Sequence, residues 1–309
     1  MKKLLTLVLA LLLGLSACAS LAEELSVESL TATYVTSPLN VPSIVEKENG
    51  VFAETLGVPV EYAEITSGAD QTQALASGDV QLLYAVGGTS IILSAANGAD
   101  IKVLNMYSRA PKAFCLYSTD ESLTTPESLK GKTIAGPAGT NLHELLVAYL
   151  KTADMTIEDV KFVSMGIPEA KAALDGGSAD VAMLGGAAAY NAGKQGYHLV
   201  TDGEGLIQAI IAVCVTEKFY NEHPDVIAKI TEAEEAIMAS IENDPEAAFA
   251  TTAQYLDLDV DAVKEMFSAY DFSLEISEAD VAGFQKTADF MCESGMIDAP
   301  YDVSGLFFK

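Results

Sequence analysis

From Leu30 onward, strand-like and helix-like runs alternate, and this alternation restricts the fold more than any other feature of the chain. Residues 31–36, 58–65, 80–86 and 101–107 are β-branched or apolar runs bounded by Gly, Asp or Pro. Between them, 42–49, 71–77 and 90–97 carry helical spacing. Such alternation predicts a mainly parallel sheet covered by helices on both faces, an α/β fold. The pattern restarts at 133–136, 160–163, 181–184 and 197–200. From about Phe219 only helical spacing remains, over 224–242, 245–256, 260–270 and 278–293. Asp244-Pro245 and Ser277-x-x-Asp280 mark helix starts there, through an oxygen-bearing cap or a first-turn proline.

A weak internal echo divides the chain. Ala74-Leu75-Ala76-Ser77-Gly78 and Ala173-Leu174-Asp175-Gly176-Gly177 each lead into an apolar run that ends in a glycine pair, Gly87-Gly88 or Gly185-Gly186. Each copy reads as helix, glycine stop, strand, and a glycine pair opening the next helix. One copy per half predicts two similarly built lobes.

The N-terminus is a separate unit. Lys2 and Lys3 precede an apolar run over 4–15, about 18 Å long as a helix and too short for a membrane core of roughly 30 Å. With its basic flank and small residues it reads as an export signal over 1–17. Leu15-Ser16-Ala17-Cys18 resembles the bacterial lipoprotein box. That resemblance implies a diacylglyceryl group on Cys18, a tether over 18–28, and anchorage to the outer face of the cytoplasmic membrane. Acyl chains add about 0.8 kcal/mol per buried CH₂. An ordinary signal peptide cut near Ala19 or Ala22 is the alternative.

The chain holds 17 basic and 44 acidic residues. With the signal removed the balance is 15 to 44, formally −29, and no basic patch remains for nucleic acid or anionic lipid. Arg109 is the single arginine. It ends the fourth strand, where it would either pair bidentately with a carboxylate or sulfonate or sit in a structural ion pair. Cys115, Cys214 and Cys292 show no CxxC spacing, and His143, His198 and His223 are scattered, so no metal or redox site is expected. Cys115 and Cys214 lie in strand-like runs, as buried thiols or, alternatively, as a disulfide.

Sequence signatures of enzymes fail on inspection. Gly131-Lys132-Thr133 has Pro126 where a phosphate loop needs glycine, and His143-Glu144 is followed by Val147 rather than a second histidine. Gly203-x-Gly205 leads to Gln208, and no Gly-x-Ser-x-Gly elbow exists. These absences do not exclude an enzyme but remove the usual sequence arguments for one, and no cofactor is expected. What remains is a set of small, polar turns at strand-to-helix junctions: Thr36-Ser37-Pro38, Ser67-Gly68, Gly87-Gly88-Thr89-Ser90, Gly139-Thr140-Asn141 and Gly185-Gly186. Ligands of open α/β sheets bind beyond the carboxyl ends of the strands, where helix N-termini offer unpaired N–H groups. The candidate ligand residues are Ser37, Gly68, Gly88, Thr89, Arg109, Thr140, Asn141, Gly185, Gly186 and Tyr190, with Tyr84 as wall or core.

These same residues carry a family likeness. Asp79-Val80-Gln81-Leu82, Leu129-Lys130-Gly131-Lys132-Thr133-Ile134-Ala135, Gly139-Thr140-Asn141-Leu142-His143, Ala173-Leu174-x-x-Gly177-x-x-Asp180 and Phe219-Tyr220-x-x-His223-Pro224-Asp225 resemble the solute-binding proteins of the aliphatic sulfonate, nitrate and taurine importer group. The resemblance implies a two-lobed, type II periplasmic-binding-protein-like fold joined by two crossover strands, over 113–118 and 210–216. The first lobe would comprise 29–116 plus 216–309 and the second 117–215. It further implies a small organic anion clamped between lobes and delivered to an ABC permease and its ATPase. Members often carry a Trp-Asp-Pro-like segment where this chain reads Leu184-Gly185-Gly186-Ala187. The rival ligand is a neutral or cationic heterocycle such as a thiamine pyrimidine precursor, since related binding proteins look similar and the shortage of cleft arginine suits it. A cofactor-biosynthesis enzyme on this fold and a sensor subunit are the rival roles.

Overall fold

The computed structural model describes residues 25–36, 39–65 and 67–308. The expected export signal, Cys18 and Ser37 lie outside the described residues. Among those described, no helix is long and apolar enough to cross a membrane.

The first sheet holds β1 (Leu30–Tyr34), β2 (Val60–Glu64), β3 (Leu83–Gly87), β4 (Lys102–Arg109) and β10 (Ile210–Val215). Strands β1 and β2 pair in parallel, and β10 runs antiparallel between β3 and β4. A parallel bridge from Ala32 to Leu82, with Thr33 N donating to Leu82 O at 2.9 Å, joins the two groups. The spatial order is therefore β2-β1-β3-β10-β4. The second sheet holds β5 (Phe114–Ser118), β6 (Thr133–Gly136), β7 (Lys161–Ser164), β8 (Val181–Gly185) and β9 (His198–Asp202), in the order β7-β6-β8-β5-β9. Here β5 is antiparallel to both its neighbours. The two sheets thus repeat one plan of four parallel strands and one reversed strand in the fourth place. The sequence echo has this cause.

Helices follow the strands as the alternation predicts: α1 (Val41–Asn49), α2 (Val51–Leu56), α3 (Gly68–Ser77) and α4 (Gly88–Ala96) in the first lobe, α5 (Asn141–Lys151), α6 (Ile167–Asp175) and α7 (Gly186–Lys194) in the second. Then come α8 (Glu217–Glu222), α9 (Pro224–Asn243), α10 (Pro245–Leu256), α11 (Val260–Phe267) and α12 (Glu278–Glu293). The short α2 escaped the sequence reading because Gly50 and Gly57 cut it to a turn and a half. The long α9 buries Val226, Ile230, Ala233, Ile237 and Ile241, a stripe at helical spacing. Each fully buried isoleucine contributes roughly 1.5–3 kcal/mol. Ser277 caps α12 in a reciprocal box with Asp280, as its spacing predicts.

The chain crosses between sheets twice, and the crossings touch: Ala110 N donates to Ala209 O at 3.4 Å. Ala209 holds φ +49°, a left-handed conformation costing a residue with a Cβ about 1 kcal/mol. The boundaries expected at 116 and 215 therefore move to about 110 and 209. Residues 210–215, assigned to the second lobe from sequence, lie inside the first sheet because β10 pairs with β3 and β4. Residues 114–116 belong with β5 in the second.

Glu46 and Glu234, two of the carboxyls buried in the first lobe, are held by hydroxyl and amide donors. Glu46 Oε1 accepts from Tyr62 Oη at 2.6 Å and Phe52 N at 3.2 Å, and burial raises its pKa to about 7. Glu234 Oε2 accepts from Asn105 Nδ2 at 2.7 Å, and burial pushes it up to about 8. A raised carboxyl pKa contributes stability below the unfolded value, near 4.3, which is lost as pH rises through the folded value. Glu234→Gln is expected to melt above wild type at pH 8. The gap should shrink towards pH 4.5 by about 1.4 kcal/mol per pH unit, read from melting curves.

Candidate functional site

The strand-to-helix junctions of both lobes converge on the seam between them. At the β3–α4 junction the chain is glycine for close packing: a Cβ on Gly88 would lie 3.3 Å from both Ile210 O and the Phe284 ring. Gly68, opening α3, abuts Ser90 of α4 in the same way. Across the seam, Thr140 precedes α5 without capping it through its side chain, its Oγ1 donating instead to Pro137 O at 2.9 Å.

These junctions meet directly. Thr89 Oγ1 donates to Asn141 Oδ1 at 2.8 Å, Asn141 Nδ2 donates to Ile210 O at 3.3 Å, and Ser90 Oγ donates to Gly139 O at 2.8 Å. Glu144, one turn along α5, lies 2.6 Å from Thr89 Oγ1 and accepts from Thr287 Oγ1 of α12 at 3.1 Å. Thr89, Asn141 and Glu144 are all buried. Burial raises Glu144's pKa, against the hydrogen bonds of Thr89 and Thr287. Glu144 and Thr287 were missed from sequence; apart from Glu144's three-residue spacing from Asn141 on α5, nothing local marks them.

The β8–α7 junction is different. Gly185 pairs with Phe114 on β5, and Gly186 opens α7 at φ +55°, a conformation that favours glycine. Both are buried and no side chain caps the helix. One turn on, Tyr190 Oη donates to Glu265 Oε2 at 3.3 Å, and Lys194 is 3.2 Å from the same oxygen. A recess of about 480 Å³ separates Tyr190, Asn191 and Lys194 of α7 from Asp257, Leu258 and Asp259 between α10 and α11.

Arg109 is not a free anion ligand. Its Nε donates to Asp280 Oδ1 at 2.6 Å, and its Nη2 to Asp280 Oδ2 at 2.6 Å and Glu275 O at 2.8 Å. Its Nη1 donates to Ser273 O at 2.8 Å and Ser273 Oγ at 3.0 Å. All five N–H groups of a guanidinium are thereby used. Burial would raise the pKa of Asp280, but Arg109 and Ser277 hold it down to about 2. The pair fastens the end of β4 to the start of α12, where two carboxylate oxygens meet the guanidinium fork better than any passing solute.

Aromatic rings line the first lobe towards the seam. Tyr84 is a core residue, edge-on to Phe52 and Tyr107, and the run continues through Phe272 to Tyr270. Tyr270 stacks on Phe272 with ring centres 5.3 Å apart, and its hydroxyl is buried. Leu39 of the first lobe and Cys115 of the second both act on that hydroxyl, whose pKa burial raises. Cys115, Cys214 and Cys292 are free thiols, so the disulfide alternative fails: Cys115 lies in the second sheet and Cys214 in the first. Among the described residues no cluster of His, Cys, Asp and Glu could hold a metal ion.

Comparison with known proteins gives a consistent result. The family model described as NMT1/THI5 like matches residues 37–248. The taurine-binding periplasmic protein of Escherichia coli (strain K12) is 31% identical over 217 residues, 69% of this chain and 66% of that protein. The putative aliphatic sulfonates-binding protein of the same strain is 26% identical over 182 residues, 58% of this chain and 56% of that one. The alignments thus span about two thirds and about half of those relatives. Among solved structures, the alkanesulfonate-binding protein SsuA from Xanthomonas axonopodis pv. citri, bound to MOPS, superposes with a TM-score of 0.83 at 20% identity, covering 91% of this chain and 98% of that one.

Two substitutions separate structural from binding roles. Arg109→Ala should lower the melting temperature, since it strands the buried Asp280 carboxylate at a cost of about 3–5 kcal/mol. Any solute affinity of the fraction that folds should stay within about twofold of wild type by titration calorimetry. Tyr270→Phe keeps the ring stack and deletes only the buried hydroxyl, so the unliganded protein should melt within about 1 kcal/mol of wild type. Solute affinity should weaken about tenfold, the value of one hydrogen bond of roughly 1.4 kcal/mol.

Proposed function

The chain belongs to the NMT1/THI5-like family, among the sulfonate- and taurine-type solute-binding proteins of ABC importers, and we propose that it captures a small organic sulfonate at the lobe seam. Proteins of this kind bind a solute without transforming it, and this chain would hand its solute to a membrane permease driven by an ATPase on the cytoplasmic face. Taurine or a short alkanesulfonate is the proposed cargo of this chain. The protein would work outside the cytoplasm, tethered through an acylated Cys18 to the outer face of the cytoplasmic membrane.

The observation that carries the reading is the buried, uncapped start of α7 at Gly185-Gly186. Its backbone N–H groups carry about half a positive charge, and no side chain caps them, so they would be free to hold an oxyanion. The net charge of −27 opposes an approaching anion at long range, and Arg109 is spent elsewhere. Local backbone donors are thus the natural holders of a sulfonate here. Thr89, Thr140 and Asn141 would complete the cleft wall, with Ser37 from the first lobe. The lobes would close over the solute by rotation about Ala110 and Ala209, a population shift that a permease can read.

The partly exposed Tyr270, stacked on Phe272 at the end of a run of core rings, favours a second ligand class, a planar neutral heterocycle. One experiment decides between them. The body from Ala19 onward is titrated, by thermal shift and calorimetry, with taurine, alkanesulfonates, nitrate and a thiamine pyrimidine. At a hundredfold excess over Kd, a true ligand stabilises by about 2.7 kcal/mol. A shift with sulfonates is the expected result. A shift with the heterocycle alone overturns the cargo, and no shift with any solute overturns the binding role.

A further inference from the structure

The hydrogen bonds at the seam contain one proton too few. Thr89 Oγ1 lies 2.8 Å from Asn141 Oδ1 and 2.6 Å from Glu144 Oε2, but a hydroxyl has a single hydrogen to donate. The orientation of the Asn141 amide is fixed by two other contacts, Nδ2 donating to Ile210 O at 3.3 Å and Thr89 N donating to Oδ1 at 3.4 Å. Turning the amide over would set an oxygen against the Ile210 carbonyl and lose both bonds. The Thr89 proton therefore goes to Asn141, and the 2.6 Å contact needs a proton from Glu144. Its other oxygen, Oε1, accepts from Thr287 Oγ1 at 3.1 Å.

We propose that Glu144 is a positioning residue acting as a neutral acid, donating from Oε2 to Thr89 and so locking Thr89 and Asn141 in the closed seam. The chain of bonds runs from Glu144 on α5 of the second lobe to Thr89 on α4 and Thr287 on α12 of the first. Rotation of the lobes breaks it and wets the carboxyl, which then releases its proton to solvent at neutral pH. Closure takes the proton back. Ligand capture is thereby coupled to uptake of one proton.

The surroundings supply no charge that would keep Glu144 ionised. Neither α4 nor β8 carries a titratable residue. Helix α12 brings Lys286, Asp289 and Glu293, the last paired with Lys151 of α5 at 2.6 Å. Strand β5 brings Cys115 and Tyr117, and α5 itself His143. None of these shifts Glu144; burial and the two threonines alone act on it, and burial favours the neutral acid.

Glu144→Gln keeps a donor towards Thr89 and an acceptor for Thr287 but cannot titrate. Without any solute, the melting temperature of wild type should fall relative to Glu144→Gln as pH rises above about 4.5, by about 3 °C per pH unit until the folded pKa is passed. Parallel curves overturn the proposal. Calorimetry with taurine in buffers of different ionisation heat should show about one proton taken up by wild type at pH 7 and none by Glu144→Gln. Equal uptake also overturns it. The calorimetric arm rests on the sulfonate-binding reading and the melting arm does not, so a wild type that ignores taurine refutes that reading alone. Should Glu144→Gln not fold, Thr89→Ser, which keeps the acceptor, and Thr89→Val, which removes it, take its place in calorimetry. Serine should retain the uptake and valine abolish it; the same uptake in both refutes the proton's position.

Discussion

The first sheet of this protein is completed by a strand that the chain reaches only after it has passed through the whole of the second lobe. Strand β10 enters the first sheet from the second lobe and lies between β3 and β4, with all six of its residues buried. Strand β5 makes the opposite journey into the second sheet. The second sheet closes from one continuous segment, 114–202, whereas the first cannot complete its hydrogen-bond ladder until the chain has crossed back at Ala209, so the first lobe depends on the second being threaded through it. The same crossing positions the seam. Ile210 O, the first carbonyl of β10, accepts from Asn141 of the second lobe and stops Gly88 from carrying a side chain.

Charge is handled by hiding it or by pairing it. A chain of net charge −27 has one guanidinium, and it serves as an internal rivet between β4 and the start of α12. Three carboxyls, Glu46, Glu144 and Glu234, are buried against hydroxyl and amide partners rather than against cations. In a low dielectric an unpaired carboxylate is costly, so each has its pKa raised by burial. Lys47 is held differently, 3.7 Å above the face of Tyr34 and 3.2 Å from Glu64. Little positive charge is left for a solute. Backbone N–H groups at glycine-lined helix starts remain, and they cost the protein no net charge.

Much of this was legible in the chain because it is written in local periodicity. Val181–Gly185, Pro245–Leu256 and Glu278–Glu293 follow from β-branched runs, first-turn prolines and caps within a few residues of themselves. The likeness between Gly87-Gly88 and Gly185-Gly186 predicted two lobes of one plan, although Gly88 answers to close packing and Gly186 to a left-handed backbone. The boundary between the lobes was misplaced by a few residues, because a strand's sequence records that it is buried and not which sheet buries it.

The site divides along the same line. The sequence by itself determined which turns would face the ends of the strands, because turn chemistry and helix starts are local. Only the tertiary structure decided what those turns do: Thr89 and Asn141 bond each other across the seam, Gly185 and Gly186 leave α7 uncapped, and Arg109 is consumed by Asp280. Asp280, Glu144 and Thr287 each lie 50 or more residues from the partner that gives them meaning, the separations being 171, 55 and 143. A hydrogen bond depends on distance in space, and the periodicity that fixes a strand or a helix carries no record of it.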